Sequence, residues 1–583
     1  MKQPTPVKTH LFRRLLPYVK HYRLLLAFAI LTAFVGSVLS LTGPLLMGRA
    51  IDHIIGPGQV ELAPILRILG MMAVLYVVSS IAQWLMQTLS AAIAARTSAD
   101  IRKDGFSRLS ILPLKYFDSR AHGDTISRFT NDLEAVSEGL TQVITQLFAG
   151  TVTLLGTLGF MLSLSVPITM VVVVVTPLSI WVAGKIVKSS ARMFREQSRT
   201  LGELNGYVEE MVGGGRVIKA FGQEEASQKR FEEINARLYK VGQLSQFYSS
   251  LANPSTRLIN HTVYLLVGVI GALLAVGQQL SVGAIASFLT YAVQFARPIN
   301  EITGITTQLQ NAAASLERVF ALLDTPPQEP DQADAAHDVH ARGNVEFRDV
   351  GFSYQPEAPL IERFSLRVSP GKTVAIVGPT GAGKTTIVNL LMRFYEIDAG
   401  EILLDGVDIR NIGRDALRRS FGMVLQDSWL FSGTVRENIA YAKPEATAED
   451  VEQAARAAHA HGFIRRLPQG YDTVIAEDGG NLSEGQKQLL TIARAMLCDP
   501  PMLILDEATS SVDTRTEQRI QRAFLALMQG RTSFVIAHRL STIQGADVIL
   551  AMDQGKIVEM GTHEELLKEE GFYCRLYNSQ FAK

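Results

Sequence analysis

Six apolar segments in the first half of the chain constrain its fold more than any other feature. A helix rises about 1.5 Å per residue, so about 20 apolar residues cross a hydrocarbon core roughly 30 Å thick. Pro177 interrupts the fourth segment, and Arg297 and Pro298 interrupt the sixth. These two segments therefore match the pattern of a membrane-spanning helix less well than the other four. We predict a helical membrane domain with six spans, the alternative being burial of one or two segments in a protein core. The segments are residues 24–46, 68–95, 140–165, 168–184, 258–277 and 282–303.

The basic residues between these segments predict their orientation, because Lys and Arg are retained on the cytoplasmic side. Residues 96–128 hold seven Lys or Arg and residues 185–240 hold eleven, whereas the short links "SLSVP" and "VGQQLS" hold none. Basic residues also precede the first segment, among them Arg13, Arg14 and Lys20. We therefore expect a cytoplasmic N-terminus and, after six crossings, a cytoplasmic C-terminal domain.

The two long basic stretches contain few prolines and are predicted to continue the membrane helices into the cytoplasm. At about 1.5 Å per residue, 15 to 20 residues in each direction place their turns roughly 25 Å below the bilayer. Apolar residues near the turns, Tyr116, Phe117 and Phe221, need a protein partner. The alternative is two solvated helical hairpins.

Several polar residues lie within the apolar segments, where exposure to lipid is costly. Ser287, Tyr291 and Gln294 share one helical face, which suits the wall of a cavity. Hydrogen bonding between helices is the simpler interpretation of any one of them. The polar residues are Gln83, Gln87, Gln142, Gln146, Asn260, His261, Tyr291, Gln294 and Arg297.

The second half of the chain contains a phosphate-binding loop. After a linker rich in Pro and Asp, an apolar run at residues 372–377 enters "GPTGAGKTT", which leads into a helix with apolar periodicity. In such a loop backbone N–H groups surround phosphate oxygens, Lys384 reaches the outer phosphates, and the Thr385 hydroxyl ligates Mg²⁺. The predicted nucleotide-binding residues are Gly378, Pro379, Thr380, Gly381, Ala382, Gly383, Lys384, Thr385 and Thr386.

Polar residues at the ends of two later strands complete a candidate hydrolytic site. Asp506, at the end of "MLILD", is predicted to hold Mg²⁺, and Glu507 to activate the attacking water. His538 follows "RTSFVIA" and is placed to contact the terminal phosphate. Parallel sheets bind ligands at the carboxyl ends of their strands, so these residues are expected to converge.

The stretch "NLSEGQKQLLTIARAM" predicts a helix capped by Ser483, whose first N–H groups can bind an anion. A carboxylate aimed at a phosphate would repel it. We therefore expect the Glu484 side chain to point away while Ser483 and Gly485 face the anion.

These motifs resemble those of ATP-binding cassette (ABC) transporters over nearly the whole chain. Residues 1–318 resemble the transmembrane domain of type IV exporters, residues 319–344 form a linker, and residues 345–583 resemble the α/β P-loop nucleotide-binding domain. Two cytoplasmic stretches, "LPLKYFDSRAHGDTISRFTND" and "VIKAFGQEE", resemble the exporter loops whose tips, the coupling helices, dock beside the Q-loop. The fold class is thus a six-span helical domain fused to an ABC nucleotide-binding domain.

The resemblance assigns further residues to the nucleotide. Tyr354 takes the place of the aromatic residue that stacks on adenine, and Gln426 that of the Q-loop glutamine near Mg²⁺ and the γ-phosphate. Asp513 lies in the D-loop, and Glu477 matches the acid of the exporter X-loop. The signature "LSEGQ", with Ser483, Gly485 and Gln486, implies contact with ATP held by a second cassette, and therefore a dimer.

The resemblance implies an ATPase that exports or flips amphipathic small molecules or lipids, with ATP and Mg²⁺ as cofactors. The chain is expected in the cytoplasmic (inner) membrane, in contact with lipid and as a homodimer, although pairing with a second half-transporter stays open. An exporter-fold importer and a regulatory ATP-binding subunit are the alternatives. Equal numbers of basic and acidic residues, 56 each, and the lack of a basic patch argue against nucleic acid as a partner. Two cysteines, Cys498 and Cys574, are too few for a disulfide framework.

Overall fold

The computed structural model describes residues 9–54, 60–426, 428–476, 480–506, 513–537 and 540–580. The chain divides into two compact units. The first comprises Met1–Ile111 and Arg120–Pro326, and the second comprises Leu112–Ser119 and Pro327–Lys583. A short segment of the first long basic stretch thus belongs to the same unit as the phosphate-binding loop.

The first unit is built from long helices, and α4 between them belongs to the second unit. Two π-helical segments, Arg128–Asp132 and Val143–Phe148, interrupt the helical run that ends at Leu164. The helices are α1 (Thr9–Lys20), α2 (Arg23–Asp52), α3 (Leu62–Leu109), α4 (Leu114–Asp118), α5 (His122–Ser127), α6 (Leu133–Gln142), α7 (Ala149–Leu164), α8 (Val166–Gly213), α9 (Gly215–Phe221), α10 (Glu224–Ser250), α11 (Ala252–Val276) and α12 (Val282–Leu323).

All six predicted apolar segments lie in helices. Among the described residues, four helical stretches are long and apolar enough to cross a membrane: Arg23–Asp52, Leu62–Leu109, His122–Leu164 and Arg257–Val276. The fourth and sixth segments lie in α8 and α12, which run through Pro177 and Pro298 without ending. Proline is tolerated inside membrane helices because neighbouring groups satisfy the carbonyl it leaves free.

The shared face of Ser287 and Tyr291 packs against α2. The Ser287 hydroxyl donates to the Pro44 carbonyl oxygen at 2.8 Å, and the Tyr291 hydroxyl donates to that of Leu41 at 2.6 Å. A Cβ atom on Gly283 would lie 1.9 Å from the Gly48 carbonyl oxygen, so only glycine permits this approach. At these two positions the face mediates helix packing.

The predicted continuation of membrane helices into the basic stretches is confirmed. Helix α3 extends to Leu109 and α8 to Gly213, so each is about 70 Å long. At the tip of the first loop, Tyr116 is 5% exposed within the second unit. Phe221, at the end of α9 in the first unit, is 75% exposed.

The described residues of the second unit form three sheets, which pack with helices. Its largest sheet has the order β12-β11-β3-β10-β9-β6, and all its pairs are parallel except β11 with β12. The strands are β1 (Val345–Phe352), β2 (Ile361–Val368), β3 (Thr373–Val377), β4 (Ala399–Leu404), β5 (Val407–Asp408), β6 (Phe421–Val424), β7 (Gly433–Thr434), β8 (Val474–Ile475), β9 (Met502–Asp506), β10 (Thr532–Ile536), β11 (Val548–Asp553) and β12 (Lys556–Gly561).

The other two sheets are β2-β1-β4-β5 and β7-β8. The helices of this unit are α13 (Lys384–Leu391), α14 (Arg414–Arg419), α15 (Val435–Ile439), α16 (Ala448–Ala457), α17 (His461–Ile464), α18 (Glu484–Cys498), α19 (Thr514–Met528), α20 (Leu540–Gln544), α21 (His563–Lys568) and α22 (Phe572–Gln580).

Burial on both faces explains the unbroken apolar sequence of the central strand β3. Val374 and Ile376 belong to one apolar cluster, whereas Ala375 and Val377 belong to another on the opposite face. Parallel strands covered on both sides are expected to be apolar throughout. The polar residues therefore come only where these strands end, and the strands end at one edge of the sheet.

The segment that follows α12 is anchored within the second unit. The Asp331 carboxylate accepts hydrogen bonds from the backbone N–H of Arg414 at 2.8 Å and from its guanidinium at 2.7 Å. Arg393 also contacts this carboxylate, at 3.3 Å. Because α12 ends at Leu323 and the second unit begins at Pro327, the link between the two units is short.

Candidate functional site

The phosphate-binding loop joins the end of β3 to the start of α13. A Cβ atom on Gly378 would lie 2.2 Å from the Met552 carbonyl oxygen in β11, so this position requires glycine. Gly383, directly before α13, has a φ of 93°, which glycine adopts without strain. The loop thus leads directly into the N-terminus of α13, a geometry that favours anions.

The Lys384 side chain folds over the loop. Its ammonium donates to the carbonyl oxygens of Gly378 at 2.8 Å and Pro379 at 3.0 Å. Burial lowers the pKa of Lys384, and the negative charge of Asp506 opposes this shift. The charges of Lys384 and Asp506 therefore interact, and both residues lie close to the phosphate-binding loop.

A cavity of about 560 Å³ lies above the loop and brings together most residues that the sequence assigned to the nucleotide. The Gln426 side chain, from the segment after β6, and Asp506, from the end of β9, reach it from the sheet. Its lining residues are Tyr354, Leu360, Thr380, Gly381, Ala382, Gly383, Lys384, Thr385, Thr386, Gln426, Asp506 and Ile536.

Tyr354 forms one wall of the cavity and is tied to α13. Its hydroxyl lies 3.2 Å from the Thr386 hydroxyl, and the Asn389 amide donates to it at 3.2 Å. Its ring meets the ring of Phe352 edge-on, with centroids 4.8 Å apart. The ring is thereby held beside the phosphate-binding loop.

The hydrolytic residues fall partly outside the described part of the chain. Asp506 pairs with Ile536 in the register of β9 and β10, so the two strands end side by side. Glu507 follows Asp506, and His538 follows Ile536 by two positions; both lie outside the described residues, as does Glu477. Their roles stay predictions.

The signature residues lie at the start of α18, and none of them is among the described residues that line the cavity. The Ser483 hydroxyl accepts a hydrogen bond from the backbone N–H of Gln486. In return, the Gln486 side-chain oxygen accepts one from the backbone N–H of Ser483 at 3.0 Å. This capping box orients the N-terminus of α18. Asp513 caps α19 through the N–H groups of Arg515 and Thr516 at 3.1 and 3.0 Å. A hydrogen bond from the Thr516 side chain, together with these backbone bonds, lowers the pKa of Asp513.

The Glu484 carboxylate lies 3.5 Å from the Lys487 ammonium, one turn along the same helix. We expect Glu484→Gly to change ATP affinity less than threefold, because a side chain that points away from the phosphate neither attracts nor repels it strongly. Equilibrium binding of a fluorescent ATP analogue measures this, with Glu564→Gly on α21 as control. A strong gain in affinity in the Glu484 variant alone would show that the carboxylate faces the nucleotide.

Sequence reasoning missed two residues at the edge of the site. Tyr395 packs its ring against Tyr354 edge-on, with centroids 5.0 Å apart, and Asn389 bonds the Tyr354 hydroxyl. Neither belongs to the quoted motifs. Both residues come after the phosphate-binding loop, within about one helix length of it. Their contact with Tyr354, which follows the earlier strand β1, is visible only in the structure.

A phosphate-binding cassette fused to long apolar helices defines an ATP-driven membrane transporter. Two family models match the chain: the ABC transporter transmembrane region over residues 26–299 and the ABC transporter domain over residues 361–510. An uncharacterized ABC transporter ATP-binding protein of Bacillus subtilis is 41% identical over 98% of this chain and 94% of its own length.

Two further relatives have more specific names. A fatty acid ABC transporter ATP-binding/permease protein of Mycobacterium tuberculosis is 45% identical over 89% of this chain and 82% of its own. An ATP-dependent lipid A-core flippase of Thiobacillus denitrificans is 36% identical over 99% of this chain and 100% of its own. A solved structure of a bacterial Atm1-family ABC exporter with ATP bound is 30% identical, with a TM-score of 0.76 over 96% of this chain and 99% of that chain.

The chain belongs to the ABC transporter family and has the architecture of its exporters. It is a membrane-spanning ATPase whose cassette binds ATP to drive export. The predicted fold class, a helical membrane domain fused to an ABC nucleotide-binding domain, is thereby confirmed.

Proposed function

We propose that two copies of this chain form a homodimer that exports or flips amphipathic, acyl-chain-bearing molecules across the cytoplasmic membrane. The main observation in support is the separation of the signature from the cavity. Among the described residues that line the cavity, none comes from the signature, and the Ser483 side chain at the start of α18 is exposed. Each chain thus offers two half-sites, which a second copy completes.

In the proposed site Tyr354 stacks on adenine and the loop from Gly378 to Thr386 surrounds the phosphates. The donor set suits Mg²⁺, because Thr385, Gln426 and Asp506, whose side chains all carry oxygen, line the cavity. Mg²⁺ prefers oxygen ligands and commonly takes one or two carboxylates together with substrate phosphates. When bound, it would neutralise charge that develops on the phosphates.

Hydrolysis is assigned to Glu507 as general base, with His538 contacting the γ-phosphate. Ser483, Gly485 and Gln486 of one copy and Asp513 near the interface would bind the ATP held by the other copy. ATP between the cassettes favours closure, and loss of the γ-phosphate removes the contact that holds them together. In the proposed cycle, closure and separation of the cassettes alternate the side of the membrane from which substrate is accessible.

The substrate class rests on the names of two relatives, a fatty acid transporter and a lipid A-core flippase. Both names describe molecules with acyl chains and a polar end. The two stretches rich in Lys and Arg, residues 96–128 and 185–240, support a cytoplasmic N-terminus and cassette, because basic loops are retained on the cytoplasmic side. Amphipathic molecules that partition into the inner leaflet are therefore the proposed substrates.

The test is ATPase activity of the purified chain in lipid vesicles, measured with fatty acids, lysolipids and a polar sugar as control. We expect stimulation by the acyl-chain compounds alone, in a particle whose mass in detergent equals two chains. Activity that all three compounds leave unchanged would contradict the substrate class. If the chain purified without a second half-transporter had no ATPase activity, that result would contradict the homodimer. In vesicles whose cassettes face outward, ATP added outside drives an exported substrate into the lumen, whereas import would move it out of the lumen.

Disrupting the tips of the cytoplasmic loops is expected to separate hydrolysis from transport. Phe117 is half-buried in the second unit beside the buried Tyr116, whereas Phe221 is 75% exposed and available to a partner. Phe117→Ser and Phe221→Ser should each lower transport at least fivefold while ATPase activity at saturating ATP stays within twofold. Leu525→Ser, an equally apolar surface change on α19, is the control. Unchanged transport in both variants would show that these tips do not transmit the signal.

A further inference from the structure

The first cytoplasmic loop makes a direct hydrogen bond next to the nucleotide cavity. The Tyr395 hydroxyl donates to Oδ2 of Asp118 at 2.5 Å, and both residues belong to the second unit. Asp118 is the last residue of α4, the short helix at the tip of that loop. The loop tip therefore contacts a residue that also contacts Tyr354.

Tyr395 and Tyr354 form an aromatic corner together with Phe352. The centroids of the Tyr395 and Tyr354 rings are 5.0 Å apart at 87°, and those of Phe352 and Tyr395 are 5.7 Å apart at 68°. Such edge-to-face pairs have a preferred geometry, so rotation of one ring disturbs the next. The orientation of Tyr354 thus depends on that of Tyr395.

The backbone that carries Tyr395 is firmly held. Arg393 adopts a φ of 50° just after α13, and its guanidinium is only 6% exposed. That guanidinium donates to the Glu396 carboxylate at 3.0 Å and to the Ile412 carbonyl oxygen at 3.2 Å. With the main chain anchored, the position of the Tyr395 ring depends on the side chains around it, and Asp118 contributes a contact from the loop.

The hydrogen bond is of a kind that is strong and directional. A carboxylate accepts from a neutral hydroxyl, and charge-assisted bonds of this type are shorter and stronger than neutral ones. Burial, together with the bond to Asp118, raises the pKa of Tyr395, so the hydroxyl keeps its proton at neutral pH. Asp118 is exposed, and its carboxylate can be rehydrated when the bond breaks. When the contact breaks, it therefore leaves no buried, unpaired charge.

We propose that Tyr395 is a positioning residue that links the loop tip at Asp118 to the ring of Tyr354, so that docking of the loop tip sets the affinity for ATP. The proposal rests on the proposed function, in which Tyr354 stacks on adenine. It adds a path by which the membrane domain acts on the nucleotide site without touching the phosphates.

The test measures binding of a non-hydrolysable ATP analogue and steady-state ATPase for Tyr395→Phe, Asp118→Ala and the double variant. Tyr395→Phe keeps the ring and removes only the donor. Each single change should raise the Kd and the KM for ATP about two- to tenfold with kcat unchanged, the range that loss of one such bond allows. The double variant should bind ATP no more weakly than either single variant, because the two substitutions remove the same hydrogen bond.

Conservative and distant changes provide the controls. Asp118→Asn retains an oxygen that accepts the hydrogen bond but loses the charge, so its affinity for ATP should lie between those of Asp118→Ala and the unmodified chain. Tyr239→Phe and Asp338→Ala alter an exposed tyrosine and an exposed aspartate elsewhere and should change nothing. Thermal unfolding of every variant tests for a general loss of stability. Such a loss would lower the Tm and would not raise the KM for ATP at constant kcat.

Two results would overturn the proposal: unchanged Kd in both single variants, or additive losses in the double variant. Failure of the proposed function looks different. If the unmodified chain shows no ATPase activity or no stimulation by acyl-chain compounds, the transport assignment is wrong. The binding measurements with the non-hydrolysable analogue still decide the role of Tyr395 in that case.

Discussion

Replacing Lys384 with methionine is expected to abolish productive ATP binding and to lower ATPase activity at least about 100-fold. The ammonium lies over the loop, within hydrogen-bond distance of the carbonyl oxygens of Gly378 and Pro379, and lines the cavity with Thr385 and Asp506. A preorganised charge in a partly buried site contributes far more than one in water, and loss of one such group typically costs 100- to 1,000-fold. Methionine keeps most of the side-chain volume and removes only the charge.

Equilibrium binding of a fluorescent ATP analogue and phosphate release measure the effect. Lys568→Met, at the exposed end of α21, is the matched control and should behave as the unmodified chain. If Lys384→Met hydrolysed ATP within a few-fold of the normal rate, the cavity above the loop would not be the nucleotide site.

The second large effect is expected at Glu507, where glutamine should preserve ATP binding and lower turnover about 100- to 10,000-fold. Glutamine has the size of glutamate but cannot accept the proton of the attacking water, and general base catalysis contributes a factor of this order. Glu507 lies outside the described residues, directly after Asp506 at the end of β9. Because hydrolysis separates the cassettes, the variant should accumulate as an ATP-bound closed dimer.

Retention of radiolabelled ATP on the purified dimer, together with phosphate release, distinguishes this outcome from a loss of binding. Glu564→Gln on α21 serves as the control, since its carboxylate is exposed and distant in sequence from the loop. Near-normal ATPase activity in Glu507→Gln would show that another group activates the water. The Lys384 and Glu507 variants together separate binding from chemistry.

Much of the site was predictable because its parts are local in sequence. The phosphate-binding loop needs a strand, a turn with glycines and a helix in direct succession, and the structure has β3, residues 378–383 and α13 in that order. Asp506 was predictable for a related reason: a polar residue at the end of an apolar strand in a parallel sheet lies at the ligand-binding edge. Both inferences use backbone geometry over a few residues.

Other features were not predictable, because they depend on residues far apart in the chain. The bond between Asp118 and Tyr395 spans 277 positions, and the bond between Tyr291 and Leu41 spans 250. Periodicity placed Tyr291 on one face of a helix but did not say whether that face meets a cavity or another helix. Only the packing of α12 on α2 decided in favour of helix contact.

The sequence by itself determined the apolar spans, the phosphate-binding loop and the strand-end acids, since hydrophobic length, glycine placement and strand periodicity act locally. The tertiary structure alone decided which of these elements meet. It continued α8 and α12 through Pro177 and Pro298, and it placed Tyr354 between α13 and Tyr395. The physical reason is that local patterns dictate backbone conformation, whereas the contacts between side chains follow from how whole elements pack to bury their apolar faces.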